Sequence, residues 1–289
     1  MIISVSRRCD IPRFAFDWFS ERLDAGFVDV KNPFNPRQIK RVCLLPSALA
    51  GSAGAEVFAF WTRDPAAILS NAENLTQRGY GFYVMVSLTG YPDVLEPNAP
   101  HLETVIDTMK TLSLKITSAR VIWRYDPIFL SDITDFDFHR RNFALLAAKL
   151  SGAVQRVIIS FYDAYKASER RLLALEQRGL LRRLPLRLKP PDNLTCEAAF
   201  EPEISDFLFC LARIAANEGM EIASCAEKDM SDLGIQSGAC IDGEYITRQF
   251  GIKPGGKDPS RPLCRCSKSV DIGWYGKCPS GCVYCYGLR

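Results

Sequence analysis

Three cysteines near the end of the chain are spaced to bind a metal cluster. Cys278, Cys282 and Cys285 form a C-x3-C-x2-C motif. Thiolates at this spacing can bind three irons of a [4Fe–4S] cluster and leave the fourth iron open to another molecule. Gly281 lets the backbone turn sharply between the ligands, and the ring of Tyr284 is placed to contact a flat cofactor. A structural zinc site is the alternative interpretation of the same motif.

A second group of cysteines is also suited to metal binding. It includes a C-x-C pair, a chelating arrangement that core packing does not require. We call this group the second cysteine set: Cys225, Cys240, Cys264 and Cys266. Four thiolates complete either a tetrahedral zinc site or an auxiliary [4Fe–4S] cluster, and the spacing does not choose between them.

The composition favours metal or redox chemistry over a disulfide framework. The chain has 289 residues, 47% hydrophobic residues, a formal net charge of +3 and 11 cysteines. It contains no apolar run of 18 residues and no signal-peptide pattern at its start, so we expect a cytoplasmic protein without a membrane span. Thiols stay reduced in the cytoplasm, and an odd number of cysteines there indicates metal ligands or reactive groups.

Apolar runs rich in β-formers alternate with helical patterns along the first 225 residues. The runs are Ile2–Ser6, Phe27–Val30, Val57–Trp61, Phe82–Leu88, Arg120–Trp123, Arg156–Phe161 and Glu221–Ser224, with a further short run at Ser269–Gly273. Between them, one helical stripe is formed by Leu102, Val105, Ile106, Met109 and Leu112. This alternation predicts an α/β fold, specifically a TIM-like (β/α) barrel. Residues 1–225 would form the barrel body, and residues 226–289 a cysteine-rich segment that completes it and carries the iron–sulfur site.

Charged residues follow several of the predicted strands. Chemistry gathers at the carboxyl ends of parallel strands, so these residues are candidates for the catalytic rim of the barrel. They are Arg7, Arg8, Asp10, Arg63, Asp64, Arg124 and Asp126. Arginine can bind a carboxylate or phosphate in bidentate fashion. The simpler interpretation is that the arginines pair with the aspartates, or that the aspartates cap the following helices.

The C-x3-C-x2-C motif, with an aromatic residue before its last cysteine, resembles the cluster motif of the radical S-adenosylmethionine superfamily. The resemblance implies that Cys278, Cys282 and Cys285 hold the cluster and that S-adenosylmethionine binds the open iron. It covers about nine residues. In that superfamily the motif follows the first barrel strand and precedes the cofactor-binding segments, whereas only four residues follow Cys285 here.

Circular permutation would reconcile the two arrangements. Ser269–Gly273 would supply the strand before the motif, and the rim would contact the cofactor in a barrel that is permuted or partial. The cofactor-binding candidates are then Tyr284, Thr89, Tyr125 and Glu227.

Nearly the whole chain resembles a family of bacterial proteins, the domain of unknown function 1848. The segments that carry this resemblance are RRCDIP, FWTRDP, WRYDPI and DIGWYGKCPSGCVYCYG. For this family the resemblance implies a cysteine cluster like that of radical S-adenosylmethionine enzymes, and no activity.

The sequence therefore predicts a radical S-adenosylmethionine-type enzyme with a [4Fe–4S] cluster, S-adenosylmethionine and a reductant such as flavodoxin or ferredoxin. The alternative is a non-radical iron–sulfur or zinc protein whose metal is structural or transfers electrons. Seven basic residues and one acidic residue between Arg170 and Lys189 raise nucleic-acid binding as a further alternative. Base-stacking aromatic residues are missing from that stretch, so a small-molecule substrate is favoured.

Overall fold

The fold is taken from a computed structural model, which describes residues 1–33, 35, 37–184, 202–259, 261–276 and 278–288. The strands in these ranges are β1 (Ile2–Val5), β2 (Phe27–Lys31), β3 (Ile39–Cys43), β4 (Val57–Thr62), β5 (Gly81–Ser87), β6 (Val121–Ile128), β7 (Arg156–Phe161), β8 (Glu221–Cys225), β9 (Gln236–Gly238) and β10 (Val270–Asp271). The α-helices are α1 (Ile11–Phe14), α2 (Phe16–Ala25), α3 (Ser47–Ala50), α4 (Ala66–Gln77), α5 (Leu102–Ile116), α6 (Phe136–Leu150), α7 (Lys166–Gln177), α8 (Pro202–Asn217) and α9 (Gly243–Phe250). Short 3-10 turns lie at Gly51–Ala53, Ser118–Arg120 and Ser231–Leu233.

The main sheet has eight strands in the order β10-β1-β4-β5-β6-β7-β8-β9. Every neighbouring pair in it is parallel. The α/β architecture is as predicted. Within the described residues the edge strands β9 and β10 are not paired with each other, so the sheet is open and the expected closed barrel is not formed.

Both faces of the sheet are covered, which explains why its strands are almost continuously apolar. On one face, Phe58 and Phe60 of β4 meet Phe19 of α2 with ring centroids 5.4 and 5.5 Å apart. On the other face, Ala59 and Trp61 belong to a cluster that also contains residues following β9. The segment after β9, which belongs to the cysteine-rich region, therefore covers this second face of the sheet.

The strand predicted at Phe27–Val30 does not belong to the main sheet. It forms β2, which pairs with β3 as a separate antiparallel ribbon. A central strand of a parallel sheet is buried on both faces, whereas Asp29 of β2 is exposed and paired with Arg41 at 2.7 Å. Neither β3 nor β9 was predicted, because both are short or polar.

Other local predictions are confirmed. Helix α5 buries Val105, Ile106, Met109 and Leu112 on one face. The predicted run at Ser269–Gly273 contains β10, which lies beside β1. Part of the basic stretch, residues 185–189, lies outside the described residues. None of the helices that the structure describes is both long enough and apolar enough to cross a membrane.

Candidate metal centre

The motif loop, residues 278–288, lies over the carboxyl ends of the strands. Val283 N donates to Leu95 O at 3.0 Å, and the hydroxyl of Tyr286 donates to Arg7 O at 2.7 Å. These contacts join the loop to the segments that follow β5 and β1. The motif is therefore at the end of the sheet where parallel α/β proteins place their chemistry.

The loop turns tightly around its cysteines. Gly281 has a φ of 66°, in the left-handed region, and its N–H donates to Cys278 O at 3.1 Å. Cys285 N donates to Cys282 O at 3.1 Å, and Gly287 N donates to the Sγ of Cys285 at 3.3 Å. The role expected of Gly281 is thus confirmed.

The three motif cysteines are close enough to influence one another electrostatically. Burial raises the pKa of Cys282 to about 12, opposed by the positive charge of Arg63, and Cys285 and Cys278 raise it further. Over the described residues, no three cysteine, histidine or acidic side chains are arranged to hold a metal ion as they stand. A cubane cluster keeps its thiolates further apart than a single ion does, because each thiolate is bonded to a different corner. Three cysteines on a turning loop suit a cluster, with a backbone N–H already directed at one sulfur.

A buried polar network holds Tyr284 of the motif. Its hydroxyl donates to Glu96 and accepts from Arg63 Nη1 at 3.1 Å. Arg63 also pairs with Glu96, and Thr89 Oγ1 donates to the same carboxylate at 2.5 Å. Glu96 is 1% exposed. The network brings Arg63, Thr89 and Tyr284 together as a fixed support, although Glu96, its central acceptor, was not among the candidates.

A second buried carboxylate, Asp271 of β10, organises the end of β1. It accepts hydrogen bonds from Ser4 Oγ and Ser6 Oγ, both at 2.6 Å, and from Arg7 N at 2.8 Å. The Nε atoms of Arg7 and Arg8 lie 3.6 and 3.8 Å from its oxygens. The carboxylate of Asp271 therefore partly neutralises the positive charges of both arginines. Sequence reasoning missed Asp271, although an acidic residue in the run before the motif was a usable signal.

Two of the aspartate candidates accept hydrogen bonds at the starts of helices, Asp10 as the N-cap of α1 and Asp64 one residue before the N-cap of α4. Asp10 accepts from Arg13 N at the start of α1 and from Arg63 N at 2.8 Å. Burial raises the pKa of Asp10 to about 6, opposed by these hydrogen bonds. Asp64 accepts from Ala66 N at 3.0 Å at the start of α4. This is the simpler arrangement that the sequence left open.

The second cysteine set is brought together beside the remaining rim pair, Arg124 and Asp126. The Sγ atoms of Cys225 and Cys240 are 3.2 Å apart. The thiol of Cys266 is hydrogen bonded both to Cys240 and to Cys264. Cys240 and Cys266, which are 26 residues apart in the sequence (266 − 240), therefore lie in contact.

The thiols of this set differ in acidity. The pKa of Cys240 lies well below its ordinary value, because Cys225 and Cys266 donate hydrogen bonds to it and Arg124 and Arg7 add positive charge. The pKa of Cys225 is correspondingly raised, first by its hydrogen bond to Cys240 and then by burial. Arg124 also forms an ion pair with Asp126.

Tyr286 connects the two cysteine groups. The side chain of Tyr286 is 42% exposed, and its phenol lies within reach of the charges of Arg124 and Arg7 on one side and of Cys285 and Cys240 on the other. The motif and the second cysteine set are therefore neighbours at the same end of the sheet.

The other two cofactor candidates, Tyr125 and Glu227, have partners outside the network around Tyr284. Tyr125 is fully buried on the helix-covered face of the sheet, where its hydroxyl is 2.8 Å from His139 Nδ1. Glu227 accepts from Phe161 N at 2.8 Å, and burial raises the pKa of Glu227 to about 7.

Arg171 of α7 clamps the motif loop. Its guanidinium donates to Val283 O and Leu288 O, both at 2.9 Å, and to Cys285 O. It comes from the basic stretch that sequence analysis considered for phosphate binding. Another member of that stretch, Arg183, pairs with Glu169 and Glu176 at 2.6 and 2.8 Å. Two of the basic residues therefore have internal partners.

These features define a parallel α/β protein with two adjacent cysteine groups at the carboxyl end of its sheet. The chain belongs to the DUF1848 family, described as a domain of unknown function, whose model matches residues 2–287. A search of curated proteins found no match.

Proposed function

We propose that this protein is a radical S-adenosylmethionine-type enzyme whose [4Fe–4S] cluster is held by Cys278, Cys282 and Cys285. The observation that carries the proposal is the position of the motif. It directly follows β10, a strand of the parallel sheet, and its loop lies over the carboxyl ends of the neighbouring strands. In the superfamily that the motif resembles, the cysteines likewise follow a sheet strand.

The strand order supports a circularly permuted relation to that superfamily. Starting from β10, the strands are neighbours in the order β10-β1-β4-β5-β6-β7-β8-β9. This is the order of a parallel barrel whose first strand has moved to the end of the chain, with an opening between β9 and β10. We propose such a partial, permuted barrel as the finer description of the fold.

When bound and reduced by a flavodoxin or ferredoxin, the cluster would supply one electron to break a C–S bond of S-adenosylmethionine, giving methionine and a 5′-deoxyadenosyl radical that would take hydrogen from a substrate. The chain's own residues would position these molecules. Arg171 fixes the loop backbone, and Arg63 with Glu96 fixes the Tyr284 hydroxyl. Arg7 and Arg124 lie beside Tyr286 and the second cysteine set, where their charge suits a small anionic group on the cofactor or the substrate.

The proposal is tested by cofactor cleavage. Protein purified anaerobically and reduced with dithionite should contain about four irons per chain, or more if the second cysteine set also holds a cluster. With S-adenosylmethionine it should form 5′-deoxyadenosine. Cys278→Ala should abolish product formation and lower the iron content, while Cys43→Ala, a change on β3, should leave both unchanged. A flavodoxin or ferredoxin should be able to replace dithionite.

Iron bound without any cofactor cleavage would instead favour a cluster that is structural or transfers electrons. Zinc without iron at the motif, reproduced after anaerobic reconstitution, would refute both iron–sulfur interpretations.

A further inference from the structure

Four cysteines outside the motif converge from three separate segments. Cys225 ends β8, Cys240 follows β9, and Cys264 and Cys266 lie shortly before β10. Their thiols are connected in series, from Cys225 to Cys240 at 3.2 Å, then to Cys266 and Cys264 by side-chain hydrogen bonds. Cys225, Cys240 and Cys266 are all at least nine-tenths buried. Ordinary core packing has no need for four thiols linked in this way.

We propose that the second cysteine set is a binding site for one zinc ion, held by four thiolates. The site is independent of the proposed radical chemistry, since it shares no ligand with the motif.

No three of these side chains, all of which the structure describes, are arranged to hold a metal ion as they stand, so binding requires the thiols to move. The short separation of Cys225 and Cys240 favours a single ion over an iron–sulfur cluster. Thiolates bound tetrahedrally to zinc at about 2.3 Å lie about 3.8 Å from one another. The Sγ atoms of Cys225 and Cys240, 3.2 Å apart, are already close to this separation. A cubane cluster would require the same thiols to move much further apart, in a region that is already closely packed.

The charges around the set suit an anionic metal site. Four thiolates and one Zn²⁺ carry a net negative charge, which is costly to bury without compensation. Arg124 and Arg7 both lie within the field of Cys240, and Arg261 Nη2 donates to Cys225 O at 3.1 Å. The Nε atom of Arg124 is buried and has no hydrogen-bond partner among the described residues. It is thus an available donor beside the sulfurs.

The location gives the ion a structural role at the opening of the sheet. Cys240 follows the edge strand β9, and Cys266 precedes the opposite edge strand β10. Two hydrogen bonds already connect these segments, from Ser267 N to Ile241 O at 2.9 Å and from Ile241 N to Cys266 Sγ at 3.5 Å. A zinc ion would fasten the two edges together where no strand pairing does so in the described chain.

The test is a metal analysis of full-length protein, with zinc and iron measured separately. Wild type should contain about one zinc per chain. Cys278→Ala should lose iron and keep its zinc, whereas Cys240→Ser should lose zinc. Cys210→Ser, a change on α8, serves as the matched control and should keep both metals.

A spectroscopic measurement covers the case in which Cys240→Ser fails to fold. Protein with all three motif cysteines changed to serine should bind Co²⁺ with the intense thiolate-to-metal absorption of a tetrahedral site, and Zn²⁺ should remove that absorption. Three results would overturn the proposal: folded protein without the cobalt band, iron instead of zinc in the second set, or a disulfide between Cys225 and Cys240 in protein isolated under reducing conditions. A failure to cleave S-adenosylmethionine would refute the proposed radical chemistry and would not contradict the zinc site.

Discussion

Replacing Arg171 by alanine should release the motif loop from the body of the protein. The guanidinium donates to three backbone carbonyls of the loop, those of Val283, Cys285 and Leu288. Alanine removes all three donors, so the three carbonyl oxygens must accept hydrogen bonds from water instead. We therefore expect a local loss of order that leaves the sheet intact.

The magnitude follows from the number and kind of these hydrogen bonds. A hydrogen bond to a charged group contributes about 1.5–3 kcal/mol. Because Arg171 is only partly buried and contributions within one network do not add fully, we take about 4 kcal/mol for the set. This corresponds to an increase of about 10³ in the population of the open loop.

Hydrogen exchange measures this opening directly. The amide of Val283 is protected by Leu95 O and that of Cys285 by Cys282 O. Both should exchange about 10³ times faster in Arg171→Ala than in wild type. Iron should also be lost faster to a chelator, because the loop would present its cysteines to solvent.

The neighbouring residue provides the control. Arg170 is exposed on the same helix, so Arg170→Ala removes an equal charge without touching the loop. Arg171→Lys keeps the charge but not the three-way geometry, and should behave more like alanine. If the amide exchange rates and the iron retention of Arg171→Ala were the same as those of wild type, the proposed role of Arg171 in holding the motif loop would be refuted.

Three further predictions concern stability. Asp271→Asn should lower the free energy of unfolding by about 3 kcal/mol in denaturant titrations, because a buried carboxylate with four hydrogen-bond donors and two nearby arginines becomes an amide. Gly273→Ala should cost about 1–3 kcal/mol in the same assay, because its Cβ would lie 2.0 Å from Ser6 Oγ. Glu227→Gln should flatten the pH dependence of stability. Burial raises the pKa of Glu227 from 4.5 to about 7. The stability that its protonated form contributes is therefore fully present below a pH of about 4.5 and is lost as the pH rises through about 7. This changes the free energy of unfolding by at most about 3 kcal/mol.

Each of these variants has a matched control. Gly276→Ala lies on the same segment as Gly273, with nothing within 4 Å of its new Cβ, and should be nearly neutral. Exposed Glu203→Gln should preserve the pH slope that Glu227→Gln removes. The steric contact at Gly273 would be contradicted if Gly273→Ala and Gly276→Ala had equal effects. The assignment to Glu227 would be contradicted if Glu227→Gln kept the wild-type pH slope. The role of Asp271 would be contradicted if Asp271→Asn were as stable as wild type.

Much of the sheet could be predicted because its strands are buried on both faces. Runs such as Val57–Trp61 are apolar at every position, and only a covered parallel strand requires that. The same reasoning failed at Phe27–Val30, where four residues are too few to distinguish a buried strand from one in an antiparallel ribbon. It also could not show whether the sheet closes, since closure depends on pairing between β9 and β10, strands of only three and two residues that leave almost no sequence pattern.

The cysteines could be found from spacing, but their supports could not. Gly281 was predictable because a tight turn between ligands needs its left-handed backbone. Glu96, Asp271 and Arg171 act through contacts with residues more than 100 positions away, which no local pattern reveals. Arg7, Arg8, Asp10, Arg63 and Asp64 do follow strand ends, whereas Arg124 and Asp126 lie inside β6, which extends to Ile128. Asp10 and Asp64 also satisfy helix N–H groups.

The central claim is that the motif holds a cluster with one iron open to S-adenosylmethionine. The most direct measurement is the electron paramagnetic resonance spectrum of the reduced, anaerobic protein with and without S-adenosylmethionine. Our account predicts a [4Fe–4S] signal that shifts when the cofactor is added and that disappears in Cys282→Ala. A cluster signal that is unchanged by the cofactor, or that survives substitution of the motif cysteines, would contradict it.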